Sequence, residues 1–284
     1  MFLRAATSLI VSVLMLAACA DGPSVLSQAA REAGYGRLVE IANGKHRSPE
    51  NIALNKYRHP AQTLHFFGVK PNMTVVEVWP EDGWYTEMLA PYIQAPGQLY
   101  VAGYSLQSVT VPQAHIQAER QYVAKLRAHP QLYGQVKLTA MGPPLDWWVA
   151  PPGSADVVLT FRDVWTWIEG GYPRVVFEAL YKALKPGGIL GVVAYRAKPG
   201  TFITDIIKTG YVTKNIVLQN AAAAGFQYVG SSEINANPKD SKDYPAGVWT
   251  LPPILRLGDK NRQRYLEIGA PDRMTLKFRR PVQQ

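Results

Sequence analysis

The sequence predicts an α/β protein in which a mainly parallel sheet carries helices on both faces. From residue 74 onward, strand patterns alternate with helical patterns, which is typical of parallel strands joined by crossover helices. The first strand pattern, residues 74–79, is a β-branched run bounded by Pro71 and Pro80, as expected for a buried strand. The last two strand patterns have no full crossover helix between them, which predicts that the last strand runs antiparallel.

Composition indicates a folded core and excludes two classes of protein. The 284 residues are 47% apolar and include 7 Trp, 15 Tyr and 8 Phe, which excludes a disordered chain. A single cysteine excludes a disulfide scaffold. The net charge of +9 permits acidic partners or a membrane surface, but it does not argue for nucleic acid.

The N-terminus has the pattern of an export signal. Arg4 precedes an apolar stretch over residues 5–18, which is too short to span about 30 Å of hydrocarbon comfortably. Leu16-Ala17-Ala18-Cys19 resembles the lipobox of bacterial lipoproteins, in which the cysteine is lipidated and becomes the first residue. We expect a signal peptide over residues 1–18, lipidation at Cys19, and a tether and N-terminal segment over residues 19–46. The alternative is a signal peptide in which Cys19 is incidental.

This interpretation places the protein on the periplasmic side of a bacterial membrane. Because Ala20 stands where an aspartate would resemble an inner-membrane retention signal, the resemblance favours the outer membrane.

The elements after the first strand follow from apolar spacing and turn residues. A helix over 85–93 ends before the Pro96-Gly97 turn, and strand 99–102 follows. Ile116, Val123 and Leu126 share one face of a helix over 116–128. Short apolar runs predict strands at 136–139 and 156–161.

The second half continues the same alternation. Pro173 stands where a first helical turn tolerates proline, and Pro186-Gly187-Gly188 ends that helix before strand 189–194. Thr213 caps a helix that ends at Gly225. Strands are predicted at 226–229 and 274–278, and between them lies an insert over 235–273 with a short helix at 259–268.

Several motifs over residues 47–281 resemble the class I S-adenosylmethionine-dependent methyltransferases, and within them a group of predicted, often exported, bacterial methyltransferases. The resemblance implies a Rossmann-like fold with a seven-stranded sheet whose last strand is antiparallel. It also implies S-adenosylmethionine as cofactor, methyl transfer to a small-molecule acceptor, and a methyltransferase-like domain over 47–284. The motifs are Tyr57-Arg58-His59-Pro60, Phe66-Phe67-Gly68-Val69-Lys70-Pro71, residues 75–87, Asp156 to Arg162, Leu184-Lys185-Pro186-Gly187-Gly188, and residues 274–281.

The resemblance places cofactor contacts in the turn after the first strand, where ligands of such sheets bind. The family pattern is an acidic residue, here Glu77, followed by three glycines at alternate positions. Those positions hold Trp79, Glu81 and Gly83, so one glycine is kept; Asp82 lies between the last two. Glu81 puts a carboxylate near the cofactor's own carboxylate, so we expect Glu81→Gly to strengthen cofactor binding.

The second and fourth strands carry the remaining implied cofactor residues. The acid that ends the second strand in the family and holds the ribose is replaced by Gly103, followed by Tyr104. Thr160 and Phe161 close the fourth strand. Further departures are Trp165 in place of a histidine, and Ala194-Tyr195 where an acid and a histidine often stand before Arg196.

Three residues are candidates for catalysis. Arg162 ends an apolar strand, where a charge needs a partner or water, and Asp163 is a candidate partner. Tyr85 covers the cofactor or begins a core helix, and His59 lines the cleft or precedes a helix that starts at Pro60. Trp79, Tyr85 and Trp165 are expected as apolar walls, with Glu77 and Arg162 as the polar floor; Trp147, Trp148 and Trp167 are walls or core. No metal site is expected, because the histidines lack ligand spacing.

Two functions remain open on the sequence. One is a methyltransferase, since an activated methyl group needs little more than positioning next to a nucleophilic acceptor. The other is a ligand-binding lipoprotein on a degenerate methyltransferase fold, which the altered glycines and the export signal favour. We expect a monomer that contacts a small-molecule ligand and, through Cys19, a membrane.

Overall fold

The computed structural model describes the backbone of residues 25–282 and the side chains of residues 32–282. The signal peptide and the lipidation site expected at Cys19 lie outside these residues. Within the described part of the chain, none of the helices has the length and apolar character required to traverse a bilayer.

Eight strands form one sheet in the order β4-β3-β2-β1-β5-β6-β8-β7. The five central strands β3, β2, β1, β5 and β6 are parallel to one another. β4 pairs antiparallel with β3, and β8 pairs antiparallel with both β6 and β7. The strands are β1 Thr74–Val78, β2 Gln98–Gly103, β3 Lys137–Gly142, β4 Asp146–Trp148, β5 Ala155–Phe161, β6 Leu184–Tyr195, β7 Gln227–Ser232 and β8 Arg273–Arg279.

Helices pack on both faces of the sheet, as predicted. One face buries Trp167, Phe177 and Leu180, and the other buries Leu64, Phe67 and Met88. The helices are α1 Val25–Ala42, α2 Pro49–Ala53, α3 Asn55–Arg58, α4 Pro60–Phe67, α5 Thr86–Tyr92, α6 Gln113–Ala128, α7 Pro130–Tyr133, α8 Val164–Glu169, α9 Pro173–Ala183, α10 Ile203–Thr209, α11 Lys214–Ala223 and α12 Arg262–Ile268, with a 3-10 helix at Gly247–Thr250.

The antiparallel last strand is confirmed, but the sheet has eight strands and not seven. The additional strand, β4, is three residues long and lies at the edge, where Trp147 pairs with Met141. It is a hairpin partner of β3 within a segment rich in proline and tryptophan, so its sequence carries no alternation long enough to predict a strand.

The expected tether over residues 19–46 contains a helix that belongs to the core. α1 packs on α4 and α5, and its Leu38 and Ala42 are buried. The Arg37 guanidinium donates a hydrogen bond to the carbonyl of Pro91 (3.0 Å). The folded unit therefore begins before residue 47.

The register aligns the carboxyl ends of three neighbouring strands. Val78 at the end of β1 lies beside Ala102 of β2 and Thr160 of β5. The turns that follow these strands therefore converge at one edge of the sheet, which is where ligands bind in open α/β folds.

Candidate functional site

A cleft of about 310 Å³ lies over the carboxyl ends of β1, β2 and β5, with α6 on one side. Its volume is at the lower end of the roughly 300–1,000 Å³ typical of small-molecule sites. The wall combines aromatic rings with four carboxyl groups. The lining residues are Trp79, Glu81, Asp82, Tyr104, His115, Ala118, Glu119, Gln121, Tyr122, Lys125, Asp163 and Thr166.

The turn after β1 keeps a glycine-loop backbone although two of its three glycine positions are substituted. Trp79, Glu81 and Gly83 have φ angles of 43°, 54° and 81°, all in the left-handed region. This conformation costs a residue with a side chain about 1–2 kcal/mol. At Gly83 a Cβ would also approach the Tyr122 ring to 2.7 Å, so that position requires glycine.

Positive φ angles are concentrated at the predicted site. Among the described residues seven non-glycine positions have positive φ, and four of them are His59, Trp79, Glu81 and Arg162. All four are candidate site residues in the sequence. Backbone strain that the surrounding structure maintains is frequent at functional sites, so these positions support a site at this edge of the sheet.

Trp79 forms the apolar wall of the cleft. Its ring stacks on Tyr104 with 4.6 Å between centroids and 26° between planes. Its indole N–H donates a hydrogen bond to the carbonyl of Met141 (2.8 Å). The side chain is 6% exposed, so the indole fills space that a glycine at this position would leave open.

The carboxylate of Glu119 lies at the end of β2, beside Gly103, which stands where the family pattern has an acid. A Cβ placed on Gly103 would collide with the carboxyl group of Glu119, which reaches this point from α6. The same carboxylate accepts a hydrogen bond from the backbone N–H of Tyr104 (3.1 Å) and lines the cleft. Burial raises the pKa of Glu119. An acid from a helix thus occupies the volume of a strand-end side chain.

Sequence reasoning missed Glu119, although a signal existed. Glu119 lies three residues after Ile116 and four before Val123, on the apolar face of the predicted helix. A carboxylate on a buried stripe needs a partner, and this one faces the glycine that replaces the expected acid.

Glu81 and Arg162 form an ion pair across the cleft edge. Arg162 Nη2 lies 2.6 Å from Glu81 Oε2, and the two side chains are 19% and 57% exposed, respectively. Although burial alone would lower it, the Glu81 carboxylate raises the pKa of Arg162 well above its usual value. The suggested pairing with Asp163 is wrong as the main contact, because Asp163 accepts hydrogen bonds from the Thr160 hydroxyl (2.8 Å) and the Phe161 N–H (3.3 Å).

Glu77 does not form the polar floor that the sequence suggested. It is 1% exposed and is not among the residues that line the cleft. Its carboxyl group accepts a hydrogen bond from the Thr86 hydroxyl (2.7 Å), which in turn contacts the Tyr122 hydroxyl (3.0 Å). Burial raises the pKa of Glu77 to about 8. Glu77 therefore stabilises the turn between β1 and α5 from inside the core.

Two of the expected aromatic walls lie elsewhere. The Tyr85 ring stacks on Phe161 with 3.5 Å between centroids, and its hydroxyl donates to the carbonyl of Arg58 (3.3 Å). Trp165 donates its indole N–H to the carbonyl of Ile207 (2.9 Å). Neither ring lines the cleft, because Tyr85 is held by contacts with Phe161 and α3, and Trp165 is held by a contact with α10.

The other expected residues divide between the cleft edge and the core. Asp82 lines the cleft, and its carbonyl accepts a hydrogen bond from Lys125 Nζ (2.8 Å). Thr160 is fully buried. His59 is the left-handed junction between α3 and α4, and α4 begins at Pro60, as one interpretation of that segment predicted.

The tryptophans do not form one cluster. Trp167 is fully buried in the core, whereas Trp148 is 54% exposed on the edge strand. Trp147 contacts Tyr172, with 5.7 Å between ring centroids. The alternative that these rings together wall a pocket is therefore wrong.

Solved structures that are similar to this chain include SAM-dependent methyltransferases and a cyclase. The chain is similar to a SAM-dependent methyltransferase from Aquifex aeolicus, with 14% identity, a TM-score of 0.52, and coverage of 87% of this chain and 98% of that one. It is also similar to the [4+2]-cyclase SpnF, with 16% identity, a TM-score of 0.55, and coverage of 90% of this chain and 97% of that one. The chain has the class I methyltransferase fold.

A third structure with this methyltransferase fold carries the donor. Phosphoethanolamine N-methyltransferase 2 of Haemonchus contortus, in complex with S-adenosyl-L-methionine, matches at 15% identity and a TM-score of 0.52, over 90% of this chain and 58% of that one. No protein-family model and no curated protein matches the sequence. At these identities the likeness establishes the fold, and a cyclase among the similar structures shows that the fold does not fix the reaction.

Proposed function

We propose that the cleft binds S-adenosylmethionine and that the protein transfers its methyl group to a small-molecule acceptor. The observation that carries this proposal is the Glu119 carboxylate beside Gly103, the position at which the family resemblance implies an acid for the ribose hydroxyls. The bound donor would supply an activated methyl group on a sulfonium. The support from similar structures is the methyltransferase fold itself.

The charges of the cleft fit a cationic donor. Glu81, Asp82, Glu119 and Asp163 place carboxyl groups around it. Aromatic faces attract cations, and the stacked rings of Trp79 and Tyr104 offer such a face. The repulsion expected between the Glu81 carboxylate and the carboxylate of S-adenosylmethionine is reduced, because Glu81 is paired with Arg162.

The residues of this chain would act by holding the donor and orienting it toward the acceptor. Glu119 accepts hydrogen bonds, Trp79 and Tyr104 exclude water from one wall, and the turn at Glu81 and Asp82 presents backbone groups. Positioning of two reactants contributes about 7–11 kcal/mol to such reactions when the geometry is right. A strong general base is not required when the acceptor is already nucleophilic.

Calorimetric titration of the purified protein with S-adenosylmethionine and S-adenosylhomocysteine tests the proposal. We expect micromolar dissociation constants for both ligands. Absence of binding at millimolar ligand would refute the proposed donor site.

A non-catalytic ligand-binding protein is the second candidate, and Trp79 favours it. The indole occupies space over the strand ends that glycine leaves free for a cofactor in the family pattern. In this case the cleft holds a smaller ligand than S-adenosylmethionine. Binding of S-adenosylhomocysteine by Trp79→Gly, combined with no binding by the unmodified protein, would favour it.

We further propose that the protein is exported and anchored through a lipid at Cys19, on the periplasmic side of the outer membrane. The support is the lipobox-like Leu16-Ala17-Ala18-Cys19 and the only cysteine of the chain. Unmodified protein should fractionate with membranes, and Cys19→Ser should release it or block its processing. Identical fractionation and mature mass for both would contradict the anchor.

A further inference from the structure

Three arginines lie together beside the cleft, and we call them the arginine cluster: Arg58, Arg162 and Arg273. Arg58 ends α3, Arg162 follows β5, and Arg273 begins β8. Arg58 is 9% exposed and Arg273 is 4% exposed. The backbone brings the three together, because the Arg162 N–H donates to the Val193 carbonyl of β6 (2.7 Å), Arg273 pairs with Tyr195 of the same strand, and Arg273 donates to Tyr57, which precedes Arg58. Burial, together with the positive charges of Arg162 and Arg273, lowers the pKa of Arg58 to about 10.

The cluster has fewer anionic partners than cations. Among the ion pairs of the described residues, Glu81 is the one carboxylate that pairs with any of the three, and it binds Arg162. Arg273 Nη1 donates to the carbonyl of Tyr57 (2.9 Å), while its buried Nε has no hydrogen-bond partner. The guanidinium of Arg58 lies over the Trp84 ring, 4.6 Å from the centroid.

A neighbouring arginine, Arg196, shows how this fold pairs a guanidinium group with carboxylates. Arg196 follows β6 at the same edge of the sheet and donates hydrogen bonds to Asp272 and to Glu233 at 2.7–2.9 Å. Burying a cation without a carboxylate is costly. Other partly buried cations, such as Lys277 and Arg280, donate to backbone carbonyls, but the arginine cluster gathers three cations around one carboxylate. An anionic ligand would balance this excess of positive charge.

We propose that the arginine cluster binds an oxyanion, a carboxylate or a phosphate group, which replaces the Glu81 carboxylate on Arg162. Glu81 is suited to leave, since its side chain is 57% exposed and its ion pair with Arg162 is its one salt bridge among the described residues. The Tyr195 ring, 5.7 Å from the Arg273 guanidinium, provides an aromatic surface for the rest of the ligand.

The position of the cluster gives this anion a role. Glu81 both lines the cleft and binds Arg162, so the two sites meet at its side chain. If the proposed function holds, the oxyanion belongs to the methyl acceptor, which is then an anionic small molecule held beside the donor. Binding of the anion itself does not depend on that function.

Calorimetric titrations of the purified protein at constant ionic strength test the site. The probes are sodium phosphate, phenyl phosphate and sodium benzoate, which separate phosphate from carboxylate recognition. The variants are Arg58→Met, Glu81→Gln and, as a matched surface control, Arg174→Met, whose guanidinium is exposed and pairs with Glu178.

We expect at least one aromatic probe to bind to the unmodified protein. Compared with that protein, the affinity should be about tenfold lower in Arg58→Met, about tenfold higher in Glu81→Gln, and unchanged in Arg174→Met. Arg58→Met should melt at or above the temperature of the unmodified protein, because its buried guanidinium has no carboxylate partner. Affinities equal in all four proteins, or no binding of any probe even to Glu81→Gln, would overturn the proposal. A parallel titration with S-adenosylmethionine separates this result from failure of the donor site.

Discussion

At the scale of single residues, we expect the protonation state of the Glu119 carboxyl group to control binding of the proposed donor. Burial raises its pKa, so it becomes protonated at a higher pH than an exposed glutamate. The ionised form offers two acceptor oxygens to the ribose hydroxyls, whereas in the neutral form one oxygen carries a proton and the hydrogen bonds are weaker. Affinity for S-adenosylmethionine should therefore fall as the pH is lowered from neutrality, and the fall should begin at a higher pH than it would for an exposed glutamate.

Glu119→Gln should bind more weakly at neutral pH and show a flatter pH profile, which calorimetry at several pH values measures. Glu178→Gln, at an exposed glutamate, is the control. A pH profile unchanged by Glu119→Gln would show that this carboxylate is not a donor contact.

The sequence alone predicts part of this site. The strand-end positions of Trp79, Glu81, Gly103 and Arg162 follow from the order of strands and from the family resemblance. The role of Glu119 follows only in part, because a carboxylate on an apolar helix face indicates a buried partner, but only the packing shows that it fills the space beside Gly103. Packing alone likewise reveals the partner of Arg162, which lies 81 residues away.

At the scale of the turn between β1 and α5, Glu81→Gly should strengthen binding of S-adenosylmethionine about fivefold or more. The change removes a negative charge near the donor's carboxylate and leaves Arg162 free to attract it. Glu81→Gln is the matched control, since it removes the charge but keeps a side chain at φ 54°. An equal gain in affinity for both variants would assign the effect to the charge of Glu81. A gain for Glu81→Gly alone would assign it to the backbone. Weaker binding by both variants would mean that Glu81 contacts the ligand.

At the scale of the whole molecule, Glu77 makes stability depend on pH. Burial raises its pKa from 4.5 to about 8, so between these values the folded state holds a proton that the unfolded state has released. The free energy of unfolding should then decrease as the pH rises through this window. Glu77→Gln should reduce this decrease, measured by urea denaturation at several pH values. An identical slope in both proteins would contradict the buried neutral carboxyl group.

The overall architecture was largely predictable, and the exceptions share a physical cause. Alternating strand and helix patterns predicted the parallel sheet, its covered faces and the antiparallel β8. The edge strand β4 was not predicted, because it is too short to show periodicity. The packing of α1 against the core was not predicted either, because its apolar residues do not form one regular helical stripe. Both depend on tertiary contacts and not on local pattern.

The central claim, that a helix-borne carboxylate completes a donor site, is tested most directly by moving that carboxylate back to the strand. Calorimetry with S-adenosylmethionine would compare the unmodified protein, Glu119→Ala, and the double variant Gly103→Asp with Glu119→Ala. We expect binding by the first, a loss of about tenfold or more in the second, and recovery in the third, where the aspartate introduced at the end of β2 occupies the space that Glu119 vacates. Binding unaffected by Glu119→Ala, or absent from the unmodified protein, would contradict the central claim.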